Sequence, residues 1–410
     1  MESYSYLHLG EPEDPDRNVV CRYRVTTDLS MEKAAEAIAA EQSTGTWTGI
    51  STLDRSIFDG LGARITSIDG DVITCEFPAE DFSIETGAVP QILSVIAGNL
   101  FGLGALKAVR LEDVTFPKSI LEQFKGPKFG AEGIRKALKR PEEPLVGTIV
   151  KPKIGLSPEK TAEYVYEAGS GGLTNSKDDE TLVDQSFCPI EDRTIRVAEA
   201  LDRLEEEGRM MMHAVNVSTR SDRIVELAEK VQGWGAREIM IDVITCGYGC
   251  LQALAEDPSI KVPIHVHRTM HGAFTKDPRH GINMLVLSKL VRMVGGDALH
   301  IGTLGVGKMA AGAHDDSNLK VCLGDDVPYK TVMPVCSGGV HPSLVADIIA
   351  RSGMDVQIQA GGGVAGHPGG VRAGAMAMSQ AVHAAYEGIP AAEYAESHPE
   401  LRIALERWPR

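Results

Sequence analysis

GTIVKPKIGLSPEKTAEYVYEAGSGGLTNSKDDE (147–180) reads as strand, helix, strand. A short Val/Ile-rich run closes on Lys151 and Lys153. Ser157-Pro158 then opens a helix, a capping hydroxyl followed by Pro at the first turn. The second extended run ends in Lys177, Asp178, Asp179 and Glu180. The same unit recurs down the chain, at MMMHAVNV (210–217), EIMIDVIT (238–245), PIHVHRTM (263–270), ALHIGTLG (298–305), KTVMPVCSGG (330–339) and DVQIQAGGG (355–363). RTIRVAEALDRLEEEG (193–208), DRIVELAEKVQGWG (222–235) and INMLVLSKLVRMVGG (282–296) lie between the runs, each with an apolar face and a closing Gly. Eight such units from residue 147 onward match a (β/α)8 TIM barrel, which takes about 250 residues. An open doubly wound sheet is the alternative, but it concentrates polar residues at one switch point. Here polar residues close nearly every run, as expected around the single mouth of a barrel.

Upstream the pattern is different. CRYRVTT (21–27) alternates as a strand, and MEKAAEAIAAEQ (31–42) has helical spacing. ARITSIDGDVITCEFP (63–78) is two strands around an Asp-Gly turn, and VPQILSVIAGNLFG (89–102) is an apolar helix. The expectation is an N-terminal α+β domain of ferredoxin-like type over 1–126 and a barrel catalytic domain over 127–410.

The 410 residues carry 41 Lys and Arg against 57 Asp and Glu, a net charge of −16. That balance argues against nucleic-acid or membrane-surface partners, which repel an acidic protein. No apolar run reaches the ~18 residues of a membrane span, and the acidic start MESYSYLHLGEPEDPD lacks the pattern of a signal peptide. Seven scattered cysteines suit a reducing cytoplasm, the expected location. Cys246 and Cys250 have no second Cys or His pair at ligand spacing and read as buried thiols.

The strand ends collect the chemistry: Lys151 and Lys153; Lys177, Asp179 and Glu180; Asn216; Asp242; His267, Arg268 and His271; His300; Ser337, Gly338 and Gly339; Gly361, Gly362 and Gly363. Carboxylates beside a lysine suggest a Mg2+ site, because hard cations take oxygen ligands. Strand alternation puts Lys177 and Asp179 on one face and Asp178 on the other; Glu180 joins only if the strand ends there. An ammonium cannot ligate a metal, so Lys177 either offsets charge or is converted into an oxygen donor. SGG (337–339) and AGGG (360–363) close the seventh and eighth runs, where barrels bind phosphate through backbone N–H groups. Arg268, His267 and His300 can hold a second anion across the mouth. Two anion sites around a metal suggest a bisphosphorylated small molecule, with lysines moving protons. GTLGVGKM (302–309) mimics a P-loop but has Met309 where the Mg2+-holding hydroxyl belongs, and reads better as a mobile lid carrying Lys308.

These residues in this order resemble the large chain of ribulose-1,5-bisphosphate carboxylase/oxygenase (RuBisCO), specifically the archaeal, form III-like type that works without a small subunit. The resemblance runs through AEQSTGTWT (40–48), AGNLFG (97–102), GTIVKPKIGLS (147–157), GGLTNSKDDE (171–180), HVHRTMHG (265–272), HIGTLGVGK (300–308), PVCSGGVHP (334–342) and QAGGGVAGHPGG (359–370). It implies Mg2+-dependent carboxylation of ribulose 1,5-bisphosphate to two 3-phosphoglycerate, with O2 competing for the enediolate. Lys177 would take up an activator CO2 as a carbamate, hold Mg2+ with Asp179 and Glu180, and act as the enolisation base. Lys151 would protonate the product carbanion with support from Lys153, and His267 would act near the substrate hydroxyls. Arg268 and His300 would bind one phosphate; Gly339, Gly361 and Gly362, flanked by Gly338 and Gln359, would bind the other with Thr46 and Trp47. Lys308, positioned by Glu41, would stabilise the incoming CO2; Ser337 would contact the sugar, and Asn99 would lie near metal and substrate. Because Glu41, Thr46, Trp47 and Asn99 lie in the N-terminal domain, the resemblance implies sites shared in a homodimer or a multiple of dimers.

The chain departs from the family's plant members at Ile149, where they often have Thr, in one extra residue between His300 and Lys308, and in MAAGAHDD after Lys308. These changes bear on lid closure, turnover and CO2/O2 discrimination. The competing expectations are a RuBisCO-like enolase or isomerase acting on another phosphorylated ketose, and a catalytically silent sugar-phosphate binder.

Overall fold

The computed structural model describes residues 4–46, 48–307 and 315–409. The chain forms two compact units, Met1–Lys125 with Met270–Met293 and Gly126–Thr269 with Val294–Arg410.

The first unit is built on strands β1 (Asn18–Thr26), β2 (Arg64–Asp69), β3 (Val72–Pro78) and β4 (Ala108–Thr115), in the order β4-β1-β3-β2. β1 runs antiparallel to both β3 and β4, and β2 antiparallel to β3. Helices Met31–Gln42 and Ile84–Ala97 connect β1 to β2 and β3 to β4, which gives the expected ferredoxin-like order. Asp69 pairs with Val72, so the β2–β3 loop is Gly70-Asp71, one residue on from the expected Asp-Gly, with Gly70 at φ 59°, a conformation that Gly adopts cheaply. Ile38, Tyr23, Ile73, Phe77, Ile92 and Ile96 are fully buried between helices and sheet, and the Tyr23 hydroxyl donates to the Ile96 carbonyl at 2.7 Å. The short strand Gly281–Ile282 pairs parallel with β4. Segment 270–293 therefore belongs to this unit by its contacts.

The second unit is a closed barrel of eight strands. They are β5 (Leu145–Ile149), β6 (Asn175–Lys177), β7 (Met212–Asn216), β8 (Glu238–Asp242), β9 (Ile264–His267), then, counting Gly281–Ile282 as β10, β11 (Ala298–Gly302), β12 (Met333–Ser337) and β13 (Gln357–Gln359). Every neighbouring pair is parallel, and β11 closes onto β9. The Ser157 hydroxyl caps the helix Pro158–Ser170 by accepting from the Lys160 amide, as the sequence predicts.

Helix Gly130–Leu138 seals the N-terminal end of the barrel. Its Ala131, Ile134 and Leu138 are buried with Leu145, Met212, Ala298, Met333 and Val335 in one apolar cluster. Asp297 fixes this plug: one carboxylate oxygen accepts from the Phe129 and Gly130 amides at 2.7 Å, and the other from the Ile264 amide at 2.9 Å. All three donors are backbone N–H groups, and the Asp297 carboxylate is fully buried. An Asp297→Asn change turns one acceptor into a donor facing another donor. The expected cost is about 3 kcal/mol, read as a lower midpoint in urea unfolding with unchanged slope.

Candidate active site

β6 ends at Lys177, so the chain leaves strand geometry at the DDE sequence. That early end lets three consecutive carboxylates face two ways. Asp178 turns away from the lysines and pairs with Arg193 at 3.1 Å and His213 at 3.2 Å, and all three are buried. It also accepts the Asn216 amide at 3.0 Å. Burial opposes its ionisation, but Arg193 and His213 hold it well below the ordinary value of 3.8. Ser176 lies 2.8 Å from His213, so Ser176, His213 and Asp178 have the order of a hydrolase triad. All three are buried and Asp178 is held by Arg193, so this group braces the strand end instead of meeting substrate.

Asp179 and Glu180 turn toward the lysines. The Lys151 ammonium donates to Asp179 at 2.7 Å, and Lys153 donates to Glu180 at 3.2 Å. Lys177 is fully buried, with its nitrogen 3.9 Å from Glu180 and donating to the Asp178 carbonyl at 2.7 Å. Burial lowers its pKa from 10.5 against the pull of Glu180, Asp179 and Asp242. Burial works against Glu180 too, yet His267 and Lys177 bring it down to about 2. The Lys153 ammonium is stabilised by Glu180 and, more weakly, by Asp179.

His267, at the end of β9, has its Nε2 3.9 Å from Glu180 and its Nδ1 3.1 Å from Asp242. Burial and Lys177 lower its pKa, which favours neutral imidazole. Its ring meets that of His300 edge-on at 4.7 Å. Both ring nitrogens of His300 already have partners, His265 at 2.8 Å and Ser337 at 2.6 Å. Arg268 follows β9, and burial lowers its pKa to about 10, so it stays cationic at neutral pH.

After β12 the chain turns through Gly338 (φ 113°) and Gly339 (φ 76°), conformations that a side chain would strain. Gln359 is buried at the end of β13, and among the described residues neither end of its amide has a hydrogen-bond partner. Gly361 follows, and a Cβ there would stand 2.9 Å from the Lys151 Cε. The structure thus brings Lys151, Lys153, Lys177, Asp179, Glu180 and His267 into one cluster, with His300 and Ser337 joined to it through the His267 ring. In the first unit, Asn99 donates to Glu41 at 3.2 Å, and Thr46 is half-buried. Trp47 and Lys308 lie outside the described residues.

The residue list drawn from sequence missed His265, Glu238, His213 and Arg193. The first two had a readable signal. HVH in β9 and EIMID in β8 put polar residues two and four apart, on the strand face that carries His267 and Asp242. Arg193 had none, because its partner is fixed only when helix Ile190–Glu206 packs behind the strand end.

Residues 9–120 match the ribulose bisphosphate carboxylase large chain N-terminal domain, and residues 130–408 the catalytic domain of the same family. The chain is 39% identical to the ribulose bisphosphate carboxylase of Methanosarcina mazei, with 98% of each chain covered. The octameric ribulose-1,5-bisphosphate carboxylase/oxygenase of Pyrococcus horikoshii superposes with a TM-score of 0.92 at 38% identity, covering 98% of this chain and 96% of that one. The dimeric archaeal Rubisco of Hyperthermus butylicus does so with a TM-score of 0.88 at 37% identity, covering 98% of both chains. With both domains matched and this identity held over the whole length, the chain belongs to the ribulose bisphosphate carboxylase large chain family.

Proposed function

We propose that this chain carboxylates ribulose 1,5-bisphosphate to two molecules of 3-phosphoglycerate, with O2 competing for the enediolate. The observation that carries the reading is Lys177, a fully buried amine with a lowered pKa, held 3.9 Å from Glu180. A lowered pKa raises the fraction of free amine, the form that attacks CO2. Carbamylation then exchanges a cation for an anion.

Among the described residues no group of three or more His, Cys, Asp or Glu is arranged to hold a metal. A carbamate on Lys177 supplies the oxygen donor that Asp179 and Glu180 lack, so the donor set fits Mg2+ once Lys177 has reacted. When bound, Mg2+ polarises the ketose carbonyl and stabilises the enediolate. The rest falls to the chain. Carbamylated Lys177 takes the C3 proton. C2 of the enediolate attacks CO2, water adds at C3, and the C2–C3 bond breaks. Lys151 returns a proton to the C2 carbanion. Lys153 and Arg268 offset substrate charge, the Gly338-Gly339 and Gly361-Gly362 turns offer N–H groups to a phosphate, and Lys308 steadies the incoming CO2. Glu41, Thr46, Trp47 and Asn99 complete the site from a second copy, in a dimer or a multiple of dimers in the cytoplasm.

The test is anaerobic incubation with Mg2+, labelled bicarbonate and ribulose 1,5-bisphosphate. Acid-stable label in 3-phosphoglycerate is expected. No label from folded protein pre-activated with CO2 and Mg2+ would overturn the reading in favour of a RuBisCO-like enolase. A milder variant checks Lys151. Gly361→Ala pushes a methyl against its Cε and moves the ammonium from Asp179. Turnover is expected to fall about tenfold, the worth of one misplaced proton donor, while the melting temperature stays within about 2 °C.

A further inference from the structure

The barrel interior holds a polar chain that the reaction above leaves unused. Glu238, at the start of β8, is fully buried, and among the described residues neither carboxylate oxygen has a hydrogen-bond partner. Its Oε1 lies 3.4 Å from His265 Nδ1, which itself has no hydrogen-bond partner. His265 is fully buried, and its Nε2 lies 2.8 Å from His300 Nε2. His300 Nδ1 lies 2.6 Å from Ser337 Oγ. Ser337 is half-buried at the end of β12, so the row runs from the closed interior toward the mouth.

We propose that Glu238 and His265 are positioning residues that fix the direction of hydrogen bonding through His300, so that the Ser337 hydroxyl is left to donate to an anionic oxygen of the substrate. The inference rests on the carboxylase reading for the identity of that substrate. The direction follows from charge. A lone anion at Glu238, with no donor on either oxygen, is too costly to bury. A proton placed between Oε1 and Nδ1, 3.4 Å apart, relieves that cost. On His265 it occupies Nδ1 beside an Nε2–H; on the carboxyl it faces an Nδ1 lone pair, which leaves the imidazole hydrogen on Nε2. Either way His265 Nε2–H donates to His300.

His300 must then present a lone pair at Nε2. Burial and the neighbouring His267 and His265 hold it neutral, so its one proton sits on Nδ1 and donates to Ser337 Oγ. The Ser337 O–H points elsewhere, into the mouth. Reversing the row would turn the Ser337 hydrogen onto His300 and aim oxygen lone pairs at an anion. The carboxylate thus acts from the barrel interior on a hydroxyl it does not touch.

Two measurements test this. The first uses metal-free, substrate-free protein labelled with [15N]histidine, with the ring signals assigned from His265→Phe and His300→Gln variants. A protonated Nδ1 and a bare Nε2 on His300 are expected, and the opposite tautomer overturns the proposal. The second uses Glu238→Met, which removes the carboxyl and keeps an apolar side chain of similar length. The melting temperature should hold or rise, because a buried acid is replaced by a hydrophobe. KM for ribulose 1,5-bisphosphate should rise about tenfold with kcat changed less than about threefold, as for a lost substrate hydrogen bond.

In a Ser337→Ala background the same change should raise KM less than about twofold, because the row then ends on nothing. A KM unmoved by Glu238→Met, or an equal rise in both backgrounds, would refute the proposal. The tautomer measurement needs no substrate. An inactive wild type with the expected tautomer therefore indicts the carboxylase reading and leaves the hydrogen-bond direction standing.

Discussion

Lys177→Met is expected to abolish carboxylation, with a loss of at least about a thousandfold in turnover, while the protein stays folded. Loss of a proton-transfer group alone lowers a rate by about 10²–10⁴. The substitution also removes the nitrogen that the proposed carbamylation needs, leaving Asp179 and Glu180 without that further oxygen donor. The fold should tolerate it. The ammonium is fully buried, and burial of a charge is the reason its pKa falls. Methionine fills the same space without that penalty. Asp179 and Glu180 keep Lys151 at 2.7 Å and Lys153 at 3.2 Å as counterions. The checks are label incorporation into 3-phosphoglycerate and the 13C signal of a lysine carbamate in protein equilibrated with 13CO2 and Mg2+. Both should vanish in the variant; wild-type turnover would remove Lys177 from the mechanism.

Arg193→Met is expected to cost about 3–5 kcal/mol of stability, the range for breaking one side of a buried ion pair. Arg193 and Asp178 are both fully buried and lie 3.1 Å apart. The guanidinium also donates to the Cys188 carbonyl at 2.8 Å and the Val183 carbonyl at 2.7 Å, so it ties the loop after β6 to the following helix. Without it Asp178 keeps only His213 and the Asn216 amide. Guanidinium chloride unfolding measures the loss, and Arg193→Met combined with Asp178→Asn should recover part of it.

The same pair sets an acid limit. Against burial, Arg193 and His213 hold the folded pKa of Asp178 below its ordinary value of 3.8. A depressed carboxylate adds stability that is fully present above that ordinary value. It is lost as pH falls from about 4 toward the folded value. Wild-type stability should therefore drop across that window, and Arg193→Met should flatten this part of the profile.

Much of the site was legible as residues in order. Lys151, Lys177, Asp179, Glu180, His267, Arg268 and Ser337 stand at strand ends, and strand periodicity alone puts strand ends at one mouth. Alternation anticipated the opposite facing of Asp178 and Asp179, although β6 ends before both. The place of Glu180 did not, because it depends on β6 stopping at Lys177. His300 was expected to face a phosphate, whereas in the fold both of its ring nitrogens are turned to protein neighbours.

Taken alone, the sequence determined the barrel and the α+β domain before it, because these rest on local periods of two and 3.6 residues. Tertiary structure decided which of those groups lose water. Lys177 becomes a desolvated amine, Asp178 a brace, and Glu238 the buried end of a polar row only after strands distant in sequence close around them. Burial depends on the whole packed fold, and the pKa shifts and hydrogen-bond directions follow from burial.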